Sequence, residues 1–133
     1  MKISQFLRKY HLHDSPVDSI NYQSEAKHLV FVMTLCDWSG EVKDPEEVFG
    51  QSGTLIFEGV QQLQANPPLE SLSWEWKSRP EILDLVYKAE LDREGLEGVW
   101  GLILLSEKDE DKGYVKVLEI KFVATHFEWR PDT

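Results

Sequence analysis

The chain reads as a mainly β domain, bordering on α+β: an antiparallel sheet of about six or seven strands with one short N-terminal helix. Three observations point there. Apolar and polar residues alternate through most of the chain, Gly, Pro, Asn and Asp punctuate it at short intervals, and only the first ten residues carry unambiguous helical spacing.

In "ISQFLRKY" the apolar residues Ile3, Phe6, Leu7 and Tyr10 fall at i, i+3, i+4 and i+7, one stripe of a helix, with Lys2, Arg8 and Lys9 off it. The helix should stop between His11 and Asp14. Pro16 disfavours helical geometry at Ser15, and Asp14 and Ser15 readily bond nearby backbone amides. From Val17 the pattern is extended. "VDSINYQ" alternates, "SEAK" is short and polar enough for a hairpin connection, and "HLVFVMTLCDW" is apolar on both faces, as a strand near the centre of a sheet would be.

"SGEVKDPEEVFGQSG" combines Gly40, Pro45, Gly50 and Gly53 with a cluster of carboxylates, the composition of an exposed loop. "TLIFEGVQQL" reads as a third strand with Gly59 as a candidate bulge, broken by "NPPLE". "SLSWEW" alternates Leu72, Trp74 and Trp76 against serines and glutamate, as a strand would. In "SRPEILDLVYKAELDREG" two patterns compete. Ile82, Leu85, Val86 and Ala89 make a helical stripe, whereas Leu83, Leu85, Tyr87, Ala89 and Leu91 alternate without a break. A strand is preferred because it becomes the antiparallel neighbour of "VWGLILLSE" with no new packing layer. The last pair, "VWGLILLSE" and "YVKVLEIKFVATHFEW", flanks the charged turn "KDEDKG".

At 133 residues the chain suits a single domain spanning residues 1–133. No apolar run approaches the roughly 20 residues of a membrane helix, and nothing resembles a signal-peptide core, so a cytoplasmic location is expected. Acidic residues outnumber basic ones 24 to 14, a formal charge of −10. A surface of that sign repels phosphate backbones, which argues against direct nucleic-acid binding, and it suits a basic protein partner. Cys36 is the only cysteine, which excludes an internal disulfide; in its apolar run it should behave as a small hydrophobe.

The densest polar cluster is "HLHDS". Histidines two apart on an extended segment point to the same side, so His11, His13 and Asp14 could supply two nitrogens and an oxygen to a metal ion. The competing explanation is that Asp14 caps a turn. Ser15 lacks the glycine-flanked elbow of a nucleophile, "GQSG" and "EGLEG" lack the context of phosphate-cradling loops, and "DEDKG" lacks the ligand spacing of a calcium loop. No cofactor is expected. Of the five tryptophans, Trp74, Trp76, Trp100 and Trp129 should cover core surface. Trp38, where the apolar strand meets the acidic loop, is placed to anchor a partner together with Asp44, Glu46 and Glu47.

With "LHDSPVDSI" leading into "LVFVMTLCDW", then "TLIFEGV" and the closing "IKFVATHFEW", the chain resembles a group of small bacterial domains that open with a Leu-His-Asp-Ser signature and are mostly of unknown function. Some of these are similar to the immunity protein 50 family, thought to neutralise toxins used in bacterial competition. The resemblance is specific at Leu12, His13, Asp14 and Ser15. It implies an antiparallel sheet with a short N-terminal helix and a structured turn locking the helix to the first strand, and it offers no established catalytic residues to carry over. Pro16 follows the signature here. The expected function is therefore a non-catalytic interaction domain that neutralises a basic toxin, with a metal-dependent hydrolase using His11, His13 and Asp14 as the alternative.

Overall fold

The computed structural model describes residues 2–10, 12–36, 50–74, 79–106 and 116–132. They form helix α1 (Ile3–Lys9) and eight strands: β1 (Val17–Gln23), β2 (His28–Cys36), β3 (Gly50–Glu58), β4 (Gln61–Asn66), β5 (Glu81–Tyr87), β6 (Glu97–Ser106), β7 (Lys116–Ala124) and β8 (His126–Pro131). All pairings are antiparallel, in two four-stranded sheets ordered β1-β2-β3-β8 and β4-β7-β6-β5. The mainly β class and the single short helix are as expected. Among the described residues no helix is long and apolar enough to cross a membrane.

The count of strands has a simple physical origin. "TLIFEGVQQL" and "YVKVLEIKFVATHFEW" were each expected as one strand, and each is one extended run that bends and changes sheet. β3 pairs with β8 up to Glu58 opposite His126, and β4 pairs with β7 from Gln61 opposite Val123. The two runs are thus one long antiparallel ribbon folded at a corner. Gly59 is not a bulge within a strand: it takes φ +65° at that corner, and a Cβ there would stand 2.5 Å from Thr125 Oγ1. Thr125 closes the corner from the other run, its N–H and its hydroxyl each donating to the Glu58 carbonyl at 2.9 Å.

The segment from Ser78 to Gly95 resolves in favour of the strand. Glu81–Tyr87 pairs with β6 (Tyr87 with Val99, Ile82 with Ile103), and a single 3₁₀ turn at Ala89–Leu91 follows. "SLSWEW" does not form a strand in its described part. The chain makes a 3₁₀ turn at Leu69–Ser71 and then runs through 72–74 without pairing. Leu69 is buried, and Leu72 and Trp74 pack against the core. This segment lies along β1, filling the gap between β1 and β4 at the sheet edges.

The opposite gap, between β8 and β5, is covered by α1. The helix lies against β5, and Phe6 stacks on Phe127 of β8 at 4.3 Å between ring centroids. Covering an edge with a helix is one way a sheet avoids pairing with a neighbour. The start of α1 is held by Glu97, whose carboxylate accepts from Ile3 N at 2.9 Å and from Ser4 Oγ at 2.6 Å.

Between the sheets lies one apolar core in which Phe31, Phe57 and Phe122 meet edge to face, 5.8 Å and 5.0 Å apart. Phe57 links the sheets, since Phe31 belongs to the first and Phe122 to the second. Burying each such ring contributes about 1.5–3 kcal/mol.

Candidate functional site

The Leu-His-Asp-Ser segment sits where the two sheets are tied together. Ser15 N donates to Leu12 O at 3.0 Å, and Asp14 has φ +63°, the geometry of a tight turn with a left-handed third residue. The turn and the residues after it are sewn to β5. Asp14 N donates to Ile82 O at 2.8 Å, Ile82 N to Ser15 O at 2.9 Å, and Val17 N to Pro80 O at 2.7 Å, with Pro16 bridging to Glu81. The two outermost strands, β1 and β5, are thereby joined at their first residues, so the paired sheets form a half-closed barrel.

Each polar side chain of the turn has a definite place. Ser15 is fully buried, and its hydroxyl accepts from Cys36 N at 3.1 Å and donates to Cys36 O at 3.2 Å, satisfying the last residue of β2. His13 is exposed. Its Nδ1 lies 2.9 Å from Leu83 O, to which it donates, and its Nε2 lies 3.4 Å from Asp14 Oδ1. Leu12 is buried in the core. A groove of about 600 Å³ runs from His13 between α1 and β5, walled by Leu7, Arg8, Asp84 and Leu85.

Around this corner the sequence concealed a polar chain. A bulge in β1 at Asp18 turns its carboxylate to Arg79 Nε at 2.9 Å; Arg79 Nη2 donates to Thr34 Oγ1 at 3.1 Å, and Thr34 Oγ1 lies 3.3 Å from Ser52 Oγ. Nothing in the local spacing announces it, because Arg79 and Asp18 stand 61 positions apart. Burial pushes the Cys36 thiol above its ordinary pKa, partly opposed by the hydrogen bond to Ser15 and the charge of Arg79.

The described histidines are spread over both ends of the first sheet. His28 begins β2 eight residues before Cys36, about 25 Å away at the strand rise. His126 sits at the corner, its Nε2 against the Glu58 carboxylate and its Nδ1 2.9 Å from Thr125 Oγ1. Among the described residues no three His, Cys, Asp or Glu side chains converge to hold a metal ion. His11 lies outside the described residues, as do Trp38, Asp44, Glu46, Glu47 and Trp76. Trp100 and Trp129 are half-buried: Trp100 Nε1 donates to Glu119 Oε2 at 3.2 Å and Trp129 Nε1 to Gln51 Oε1 at 2.9 Å.

The fold and the corner define a two-sheet antiparallel β domain with a helix and a 3₁₀ segment closing its open sides. The chain matches no protein-family model, no curated protein and no solved structure.

Proposed function

We propose that this chain is a non-catalytic protein-binding domain whose acidic rim captures a basic partner, as an immunity protein captures a toxin. The observation that carries the reading is the closure of β1 onto β5. It places Gly50, Cys36, Ser15, Glu81, Leu104 and Lys116 along one continuous rim of neighbouring strands. The two acidic segments, 37–49 and 107–115, both depart from that rim, the first from the pair Cys36–Gly50 and the second from Ser106–Lys116. Their roots are about three strand spacings apart, roughly 15 Å, within the span of a single protein interface.

Segment 37–49 has five acidic residues against one lysine, and segment 107–115 four against two, so six of the ten net negative charges belong to these two segments. Trp38 follows Cys36 by two positions in the sequence of the first acidic segment and is the aromatic anchor of this reading. The hydroxyl of Ser15 is engaged by the backbone of Cys36, which supports a scaffolding role for the signature and opposes a nucleophilic one.

The test begins with the genes adjacent to this one. A neighbouring product that is toxic alone and harmless when co-expressed with this chain supports the reading. Its association rate should fall at least tenfold in the Asp44→Lys, Glu46→Lys, Glu47→Lys triple variant and fall steeply with salt. A partner bound equally well by the variant and at high salt would remove the electrostatic basis. A hydrolase reading keeps one specific observation in its favour, the Nε2 of exposed His13 lying 3.4 Å from Asp14 Oδ1. Stoichiometric zinc in protein purified without a histidine tag, lost in His13→Ala, would select it instead.

A further inference from the structure

A second feature, away from the rim, has the chemistry of a ligand site. Gln62, Gln64, Arg93 and Lys121, with Leu91, Phe122 and Val123 behind them, line a cavity of about 200 Å³ where β4, β7 and the turn after β5 meet. We infer that this cavity binds a compact phosphate-type oxyanion, held by the guanidinium of Arg93, the ammonium of Lys121 and the amides of Gln62 and Gln64.

The site is built on irregularities of the backbone around it. The β4–β7 register slips between Gln61 and Gln64, and Gln62 takes φ +55°, so the bulge re-aims its side chain toward the cavity. The turn carrying Arg93 is pinned from behind. Asp92 spends its carboxylate on Gly98 N at 2.8 Å and on the Tyr87 hydroxyl, so this neighbouring acid is engaged away from Arg93. Gly98 is required for the close approach, since a Cβ there would stand 2.4 Å from Leu91 Cβ. Arg93 Nη1 donates to Asp92 O at 3.0 Å, which anchors one arm of the guanidinium and leaves its other donors for a ligand.

The electrostatics are unusual for so acidic a chain. Arg79 and Arg130 pair with carboxylates, and Arg8, Lys9 and Lys88 lie over aromatic rings. Arg93 and Lys121 face one cavity, and no carboxylate among the described residues comes within 4 Å of either charged group. Two cations and two amides around a small volume match an anion with three or four oxygens better than a carboxylate with two. A net charge of −10 disfavours a long polyanion, so the ligand is an inorganic phosphate or a small phosphomonoester, not a nucleic acid.

The experiment is a titration of the intact protein with inorganic phosphate at constant ionic strength, followed by amide chemical shifts and calorimetry, with methyl phosphate and acetate in parallel. Saturable phosphate binding that moves the amides of residues 62–64, 93 and 121–123 is expected. Affinity should drop about tenfold in each of Arg93→Gln and Lys121→Gln, the loss of one charge-assisted hydrogen bond. Arg130→Gln, with the same change in net charge elsewhere, should bind as the parent does. Tighter binding of methyl phosphate than of inorganic phosphate would identify a monoester as the ligand. Unsaturable shifts, acetate binding as strongly as phosphate, or undiminished affinity in the folded Lys121→Gln variant would each overturn the assignment.

Discussion

The buried hydroxyl of Ser15 holds both backbone groups of Cys36, accepting its N–H at 3.1 Å and donating to its carbonyl at 3.2 Å, although the two residues are 21 positions apart. Through this contact the end of β2 is fastened to the turn that also binds β5, so one residue joins strands of both sheets, by its hydroxyl to Cys36 and by its carbonyl to Ile82 N.

Replacing Ser15 with alanine should leave two partly buried backbone groups without their partner and lower the unfolding free energy by about 1–3 kcal/mol. Urea denaturation would show this as a lower midpoint with an unchanged slope. Ser15→Thr, which keeps the hydroxyl, separates loss of the hydrogen bonds from crowding. An alanine variant as stable as the parent would mean that the corner is held by the turn backbone alone.

Gly59 and Gly95 offer a paired comparison. Both have positive φ, but a Cβ at Gly59 would run into Thr125 whereas one at Gly95 meets nothing within 4 Å. Gly95→Ala should therefore cost only the left-handed backbone, about 1 kcal/mol, and Gly59→Ala appreciably more. Equal losses in thermal melts would show that the corner yields.

Glu97→Ala removes the acceptor that holds Ile3 N and Ser4 Oγ. The helix should loosen before the sheets do, at a cost of about 1–2 kcal/mol, because a carboxylate at a helix start satisfies unpaired amides and complements the dipole. Hydrogen exchange should accelerate in residues 3–9 with little change in β2 or β6.

The pKa of the Cys36 thiol is raised above its ordinary value, chiefly by burial. A folded pKa above the unfolded one means that the native state holds the proton more tightly. That contribution to stability is complete below the unfolded pKa and is lost as pH climbs from about 9 through the folded value. Alkylation by iodoacetamide at pH 8.5 should be slower than for an unstructured cysteine peptide. Arg79→Gln, which removes a charge that lowers this pKa, should slow it further. Alkylation as fast as the peptide would contradict the burial.

Much of the architecture was readable from local pattern. The stripe of Ile3, Phe6 and Leu7 is the buried face of α1, and the alternation of Leu29, Phe31 and Met33 is the inner face of β2. Alternation also decided correctly for Glu81–Tyr87 against a competing helical stripe. It misled at Leu72 and Trp74, whose apolar side chains fill a gap between sheet edges without belonging to a strand. It was also incomplete for β2: Val32, expected in a strand apolar on both sides, is 38% exposed, with no described element laid over that side of the sheet.

The periodicities of the chain determined its helix, the buried stripe of that helix and most of its strands, because those depend on spacings of two to four residues and on the burial of apolar surface. Tertiary structure decided the division into two sheets at Gly59 and Thr125, the fastening of Ser15 to Cys36 and of Asp14 to Ile82, and the meeting of Arg93 with Lys121 at one cavity. Those contacts join residues tens of positions apart. A bend leaves the inward and outward pattern of a strand untouched, so no local spacing reveals which sheet the strand enters or which distant side chains it will meet.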